Sequence, residues 1–375
     1  MACNAAGKRL PLLALALGLS AIPPAAQAGT APVKAPTFRY DTDWLKLPAQ
    51  WVLGDVSAVA VDRADNVWVL HRPRTVAADQ RRRAAPPVLE FDHDGRFMRG
   101  WGGPGDGYDW PFNEHSLFVD GHDHVWLTGN SRAAGAKDDS VLEFAADGTF
   151  IRQIGKPNAS KGDLDTANLG APADLYVDDA RHELYVADGY ANRRVIVFDS
   201  DTGAFRRMWG AFGAPPPSEP PPGPPPPALR PEGTPDQSGD GAKTFGSVHG
   251  VKLARDGMLY VSDRDSQRVQ VFDRTGRYLR QVFVHRNAPS RQTASGLGLS
   301  ADRAQRWLYV LDFDNGEMEI FDRKSLTPVG DIGGPKPGTA PGQFLGPHLM
   351  AVDSRGTLYV AEVQGRRVQR LTPQP

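Results

Sequence analysis

Apolar residues alternate with polar ones in short runs, and each run closes in a polar turn, the signature of half-buried strands. One arrangement recurs six times. An apolar strand ends near Asp, a polar turn follows, and a second strand reads VWV or LYV. The copies start at VSAVAVDRADNVWVL (56–70), HSLFVDGHDHVWLT (115–128), ADLYVDDARHELYVAD (173–188), HGVKLARDGMLYVSD (249–263), SGLGLSADRAQRWLYVLD (295–312) and HLMAVDSRGTLYVAE (348–362). Third strands follow as PVLEFD, SVLEFA, RVIVFD, RVQVFD, EMEIFD and RVQRLT, and a fourth often ends near Gly.

Four short strands in roughly 40–50 residues are one blade of a β-propeller. A blade cannot bury both faces alone, and six stacked in a ring can, so residues 29–375 are expected to form one all-β, six-bladed domain. The last copy supplies three strands. TFRYDTDWLKLP (37–48), ahead of the first copy, can add the missing outer strand and close the ring, which leaves few free edges. Residues 213–243 break the pattern with APPPSEPPPGPPPPALRPEGTP, which cannot join a ladder because proline lacks the N–H donor. This insertion between blades three and four reads as an extended solvated loop, or as a ligand for a proline-binding domain.

The first 28 residues follow another rule. Lys8 and Arg9 precede an apolar run at 10–22, too short to span a bilayer comfortably, and AQA at 26–28 resembles a signal peptidase site. A periplasmic or secreted protein without a membrane span is expected. Cys3 is the only cysteine and would leave with the leader, so no disulfide or thiolate chemistry is expected in the mature chain. With 43 basic and 44 acidic residues, nothing points to nucleic acid or an anionic membrane as partner. A monomer acting on a small-molecule or peptide substrate is expected.

Aligned five places before the closing Asp or its equivalent, the inner strands carry Ser57, His115, Ala173, His249, Ser295 and His348. Inner strands line the central channel, so histidines on alternate blades would face the axis at mutual angles of roughly 120°. Singly, a histidine at a strand start is an ordinary surface or hydrogen-bonded residue. Three in six equivalent positions exceed what nine histidines in 375 residues supply by chance. Three neutral imidazoles with an open fourth position describe a catalytic zinc site, though without thiolate ligands other divalent metals also fit.

Second strands end on the rim where inner strands begin. VLHRPR offers His71 and Arg72 there, and ADGYANRRV offers Tyr190. Arg72 suits a carboxylate, or it is one more surface arginine beside Arg74 and Arg81–Arg83. Tyr190 suits a general base, or it is a turn aromatic packed on a blade edge. Tyr108 and Trp110 near the mouth read as packing residues or as readers of a substrate side chain. His122 and His124 lie at the opposite face and receive no role.

LHRP (70–73), EHSLFVD (114–120), DGYANRRV (188–195), VHGVKL (248–253) and GPHLMAVD (346–353) together resemble peptidyl-α-hydroxyglycine α-amidating lyases, six-bladed propellers with NHL-type repeats. The resemblance implies that His115, His249 and His348 hold zinc, that Tyr190 is the base, and that Arg72 assists in the substrate site. It implies cleavage of a C–N bond in an α-hydroxyglycine to give an amide and glyoxylate. It places the carbonyls of Val59 and Leu117 where the family holds a structural calcium, but Leu349 stands in place of the family's aspartate and withholds the carboxylate. Gly346 replaces a methionine and Ala191 a cysteine, which leaves the substrate open. Two other readings compete. One is a non-catalytic NHL-type propeller that binds a protein or glycan; the other is a propeller lactonase, whose carboxylate and asparagine ligands the channel positions lack.

Overall fold

The computed structural model describes residues 1–3, 34–218, 239–286, 288–289, 292–334 and 336–374. Residues 4–28 of the expected leader and 219–238 of the proline-rich insertion lie outside the described residues. Lys34–Pro375 forms one compact unit. Among the described residues, no helix is long and apolar enough to cross a membrane.

Six four-stranded antiparallel sheets follow one another, as the repeat predicts. Blade one is Asp55–Val61, Val67–Arg72, Val88–Phe91 and Phe97–Trp101; blade two is Glu114–Val119, Val125–Gly129, Ser140–Phe144 and Phe150–Gly155. Blades three, four and five start at Asp174, Val248 and Leu297. Blade six takes Pro347–Val352, Leu358–Glu362 and Arg367–Gln374 from the C-terminus, and its outer strand is Thr37–Asp41. The closure is antiparallel, from Thr37 opposite Gln374 to Asp41 opposite Arg370. The core lies between blades: Val119, Leu127 and Phe144 of blade two pack with Ala58 and Leu70 of blade one.

The recurring acids have two structural jobs. At the end of an inner strand, Asp120 accepts the N–H groups of His122 and His124 on Oδ1 and the Trp126 indole N–H on Oδ2 at 2.8 Å. Asp62 and Asp353 do the same with Trp68 and the Tyr359 hydroxyl, so one side chain builds the turn and ties it to the next strand. At the end of second strands, Asp188, Asp263 and Glu362 pair with Arg194, Arg268 and Arg367 at 2.8, 2.9 and 2.9 Å. These three acids also accept N–H groups of Gly170, Gly246 and Leu345, which pins the loop entering each inner strand. The rim of the channel is thereby fixed.

Candidate metal centre at the channel mouth

The inner-strand ladder skips at the aligned positions. Register shifts fall between Val56 and Ala58, Glu114 and Leu117, Val248 and Gly250, and Pro347 and Met350. A bulge turns a side chain out of the pleat, and here it turns His115, His249 and His348 toward one another. The three imidazoles meet. Their ring centroids are 5.0 Å apart for His115 and His249, 4.5 Å for His115 and His348, and 4.8 Å for His249 and His348. One nitrogen from each lies within 4.8 Å of the other two.

The small residues on the other three blades complete the arrangement. His115 Nδ1 lies 2.6 Å from the Ala173 carbonyl, His249 Nδ1 3.0 Å from that of Ser295, and His348 Nδ1 2.6 Å from that of Ser57. A carbonyl only accepts, so each Nδ1 carries the proton and each Nε2 presents a lone pair. Burial favours the neutral ring in all three. It holds His115 well below the ordinary histidine pKa, with His348, His249 and Arg72 adding to the effect. It lowers His249 likewise, with Arg264 next, and lowers His348 to about 3, with Arg72 next.

Tyr190 closes the open side. Its hydroxyl lies 3.0 Å from His115 Nε2, 3.1 Å from His249 Nε2 and 3.1 Å from Arg264 Nη1. The preceding Gly189 allows this approach, because a Cβ there would stand 1.9 Å from the carbonyl oxygen of Val248, next to His249. Arg264 is buried over the Tyr190 ring, its guanidinium carbon 5.2 Å from the centroid. Burial opposes its charge, but Tyr190 and Asp265 more than offset this, and its pKa rises above the ordinary value. Arg264 follows Asp263 at the end of a second strand, as Tyr190 follows Asp188 by two. The rule that pointed to Arg72 and Tyr190 would have reached it if applied to blade four.

Arg72 is buried, unlike a surface arginine of a basic loop. Its Nε donates to the Glu114 carbonyl at 2.8 Å, and its Nη groups have no protein partner among the described residues. His71 is not a rim ligand. Its Nδ1 accepts the Gly54 N–H at 3.0 Å and its Nε2 donates to the Pro86 carbonyl at 3.0 Å. Burial lowers its pKa to about 4, so a neutral ring stands where other blades put an acid paired with arginine.

The residues fit one metal and not the other. Of the three converging Nε2 lone pairs, two share a single phenol O–H, and His348 Nε2 has no hydrogen-bond partner among the described residues. That donor set suits a divalent cation. Calcium does not fit beside Val59 and Leu117. Leu349 packs against Leu117 in an apolar cluster, and the charged group on that stretch of wall is Lys252, paired with Asp174 at 3.4 Å. Gly346 has φ +65°, a left-handed backbone that a methionine would occupy only under strain. At the opposite face, Asp120 with His122 and Asp179, and Asp120 with His124 and Glu143, also bring ligand atoms together. Asp120 is already engaged by the turn N–H groups and Trp126, Asp179 by the Gly121 N–H, and Glu143 by Arg152.

No family model matches the chain. It is 28% identical over 345 residues to mouse NHL repeat-containing protein 3, covering 90% of this chain and 85% of the relative. The human protein of that name is 26% identical over 340 residues, covering 90% and 84%. Peptidyl-alpha-hydroxyglycine alpha-amidating lyase 1 of Drosophila melanogaster is 25% identical over 368 residues, covering 89% of this chain and 59% of the relative. Among solved structures, a streptogramin B lyase superposes with a TM-score of 0.52 at 10% identity, covering 90% of this chain and 98% of that one, a likeness of fold alone. The chain is an all-β six-bladed propeller similar to NHL-repeat proteins, with a more distant similarity to amidating lyases.

Proposed function

We propose that this protein is a zinc-dependent carbon–nitrogen lyase that converts an α-hydroxyglycine-type substrate to an amide and glyoxylate. The observation that carries the reading is the convergence of three buried Nε2 lone pairs on one point, with the Tyr190 hydroxyl within 3.1 Å of two of them. His115, His249 and His348 would hold the metal, which when bound acidifies a hydroxyl placed against it.

The chain's own residues account for the rest. In the substrate the hydroxyl sits on the carbon bonded to the amide nitrogen. Loss of the O–H proton lets C=O form while the C–N bond breaks, and the departing nitrogen takes a proton to become the amide. Tyr190 would receive and return that proton. Arg264, 3.1 Å from the phenol oxygen, meets charge that develops there. The unpartnered Nη groups of Arg72 form a fork suited to the carboxylate that leaves as glyoxylate. The apolar run at 10–22 supports export of the chain.

The test is glyoxylate release from an N-acyl-α-hydroxyglycine by zinc-loaded protein, with the metal counted on the same sample. Bound zinc without glyoxylate would sink the reaction. Protein that binds no zinc would favour a propeller that only binds, the reading suggested by similarity to NHL repeat-containing proteins.

A further inference from the structure

We infer that the groove between blades one and two is a recognition site for an extended peptide with aromatic or proline side chains. On the lyase reading above, this is the part of the substrate on the nitrogen side of the bond that breaks. The groove is open along its length and has a volume of about 1000 Å³, at the upper end for ligand pockets and far more than a hydroxyglycine head needs. Trp51, Tyr108, Trp110 and Phe112 line it, and its charged groups are Arg74, Asp109, Glu114, Lys137 and Asp138. Phe112 is 53% exposed, one of the few large apolar side chains left in solvent.

Glu114 joins the groove to the metal centre. It directly precedes His115, and its carbonyl accepts from Arg72 Nε at 2.8 Å. Its Oε1 takes the Trp110 indole N–H at 2.9 Å. Its Oε2 is buried and has no hydrogen-bond partner among the described residues, although Glu114 as a whole is only 7% exposed. A buried carboxylate oxygen left alone is costly, so the groove calls for a donor from its occupant. A backbone N–H of an extended peptide supplies one while its side chains lie on the aromatic walls, the mode by which proline-rich segments dock. A fatty acyl chain would cover the same walls and leave Oε2 unmatched.

The probe is a fluorescein-labelled Gly-Pro-Phe-Pro-Phe amide, titrated by anisotropy into zinc-loaded protein. It resembles a product and needs no turnover. Binding should weaken by about 10-fold in Phe112→Ala and in Glu114→Gln, and by as much when Gly and Ser replace Phe and Pro in the peptide. Phe112 is exposed, so its variant should fold normally. Undetectable binding, equal affinity for the Gly-Ser peptide, or tighter binding of a labelled dodecanoyl glycinamide overturns the proposal. Probe binding without glyoxylate release would sink the lyase reading alone, and glyoxylate release with no effect of Phe112→Ala on the probe would sink the groove alone.

Discussion

The imidazole of His348 donates its Nδ1 proton to the carbonyl of Ser57 at 2.6 Å, joining residues 291 apart at the seam where the ring closes. His115 and Ala173, and His249 and Ser295, repeat the contact at the other two junctions. Each imidazole is thus oriented by the next blade, so on the zinc reading a bound metal should report on closure of the whole ring. Zinc at 100 times its Kd should stabilise the native protein by about 2.7 kcal/mol, a ligand that binds only the folded state. Thermal unfolding with and without zinc measures this. His348→Ala should abolish the shift and reduce bound zinc from about one per chain to near none, and an unchanged wild-type Tm on adding zinc would count against the site.

On the lyase reading Tyr190 and Arg264 act on one oxygen, so their removal should not add. Tyr190→Phe keeps the ring and the cation–π contact but removes the proton acceptor, and should lower kcat by about 10²–10⁴-fold with zinc retained. Arg264→Gln should lower kcat by about 10²-fold through loss of a charge aimed at that oxygen. In the double variant the loss should barely exceed that of Tyr190→Phe. Fully multiplicative effects in steady-state kinetics would show that the two residues work separately.

Much of this centre is legible in the chain because its parts repeat. The six inner strands share a register, so alternate histidines stand out once Ser57, Ala173 and Ser295 are set beside them. What the sequence hides is backbone. The bulges at Ser57 and the three histidines, and the carbonyls that fix each tautomer, leave no mark on residue identity. Arg264 is half-hidden: in VSDRDSQRV it stands at the rim just after a second strand, but it looks like one more charged turn residue until burial against Tyr190 gives it a partner. His71 misleads in the opposite direction, since a histidine at the rim reads as a candidate for chemistry until its two nitrogens are found on Gly54 and Pro86.

The ion pair that precedes Tyr190 is structural, and on the lyase reading it also positions the phenol. Asp188 and Arg194 are both fully buried at 2.8 Å, and Asp188 also accepts from Gly170 and Asn192. Removing one partner of a buried pair costs about 3–5 kcal/mol. Asp188→Ala should therefore lose that much in urea unfolding. Since the turn that follows carries Tyr190, it should also lower kcat in the fraction that stays folded. Full activity at wild-type stability would mean that the pair does not position the phenol.

His285 makes stability depend on alkaline pH. Its Nδ1 lies 2.6 Å from Asp312, and its Nε2 lies 3.1 Å from Glu319 and 3.4 Å from Glu317. The bond to Asp312 leads the causes that raise its pKa to about 9, against burial. A histidine raised above its ordinary value stabilises the fold fully below about 6.5, and loses that contribution as pH rises through about 9. His285→Gln should then unfold at lower temperature than wild type at pH 6, with the gap closing by pH 10. A gap that stays constant across this range in calorimetry would assign the loss to packing.

The N-terminal strand should be indispensable although it lies far from the three histidines in sequence. Thr37–Asp41 supplies the fourth strand of blade six, Asp41 pairs with Arg370 at 2.7 Å, and Phe38 is buried beside Tyr309 with ring centroids 6.2 Å apart. Phe38→Ala should cost about 3–5 kcal/mol, the usual range for a buried phenylalanine. Deleting residues 34–41 removes that side chain and also uncovers the edge of Arg367–Gln374, a template for pairing with other chains. The truncated protein should sediment as aggregates, and its remaining soluble fraction should bind zinc weakly, because His348 hangs from the blade that has lost its outer strand. A monodisperse truncated protein with full zinc occupancy in analytical ultracentrifugation would show that the ring closes without this strand.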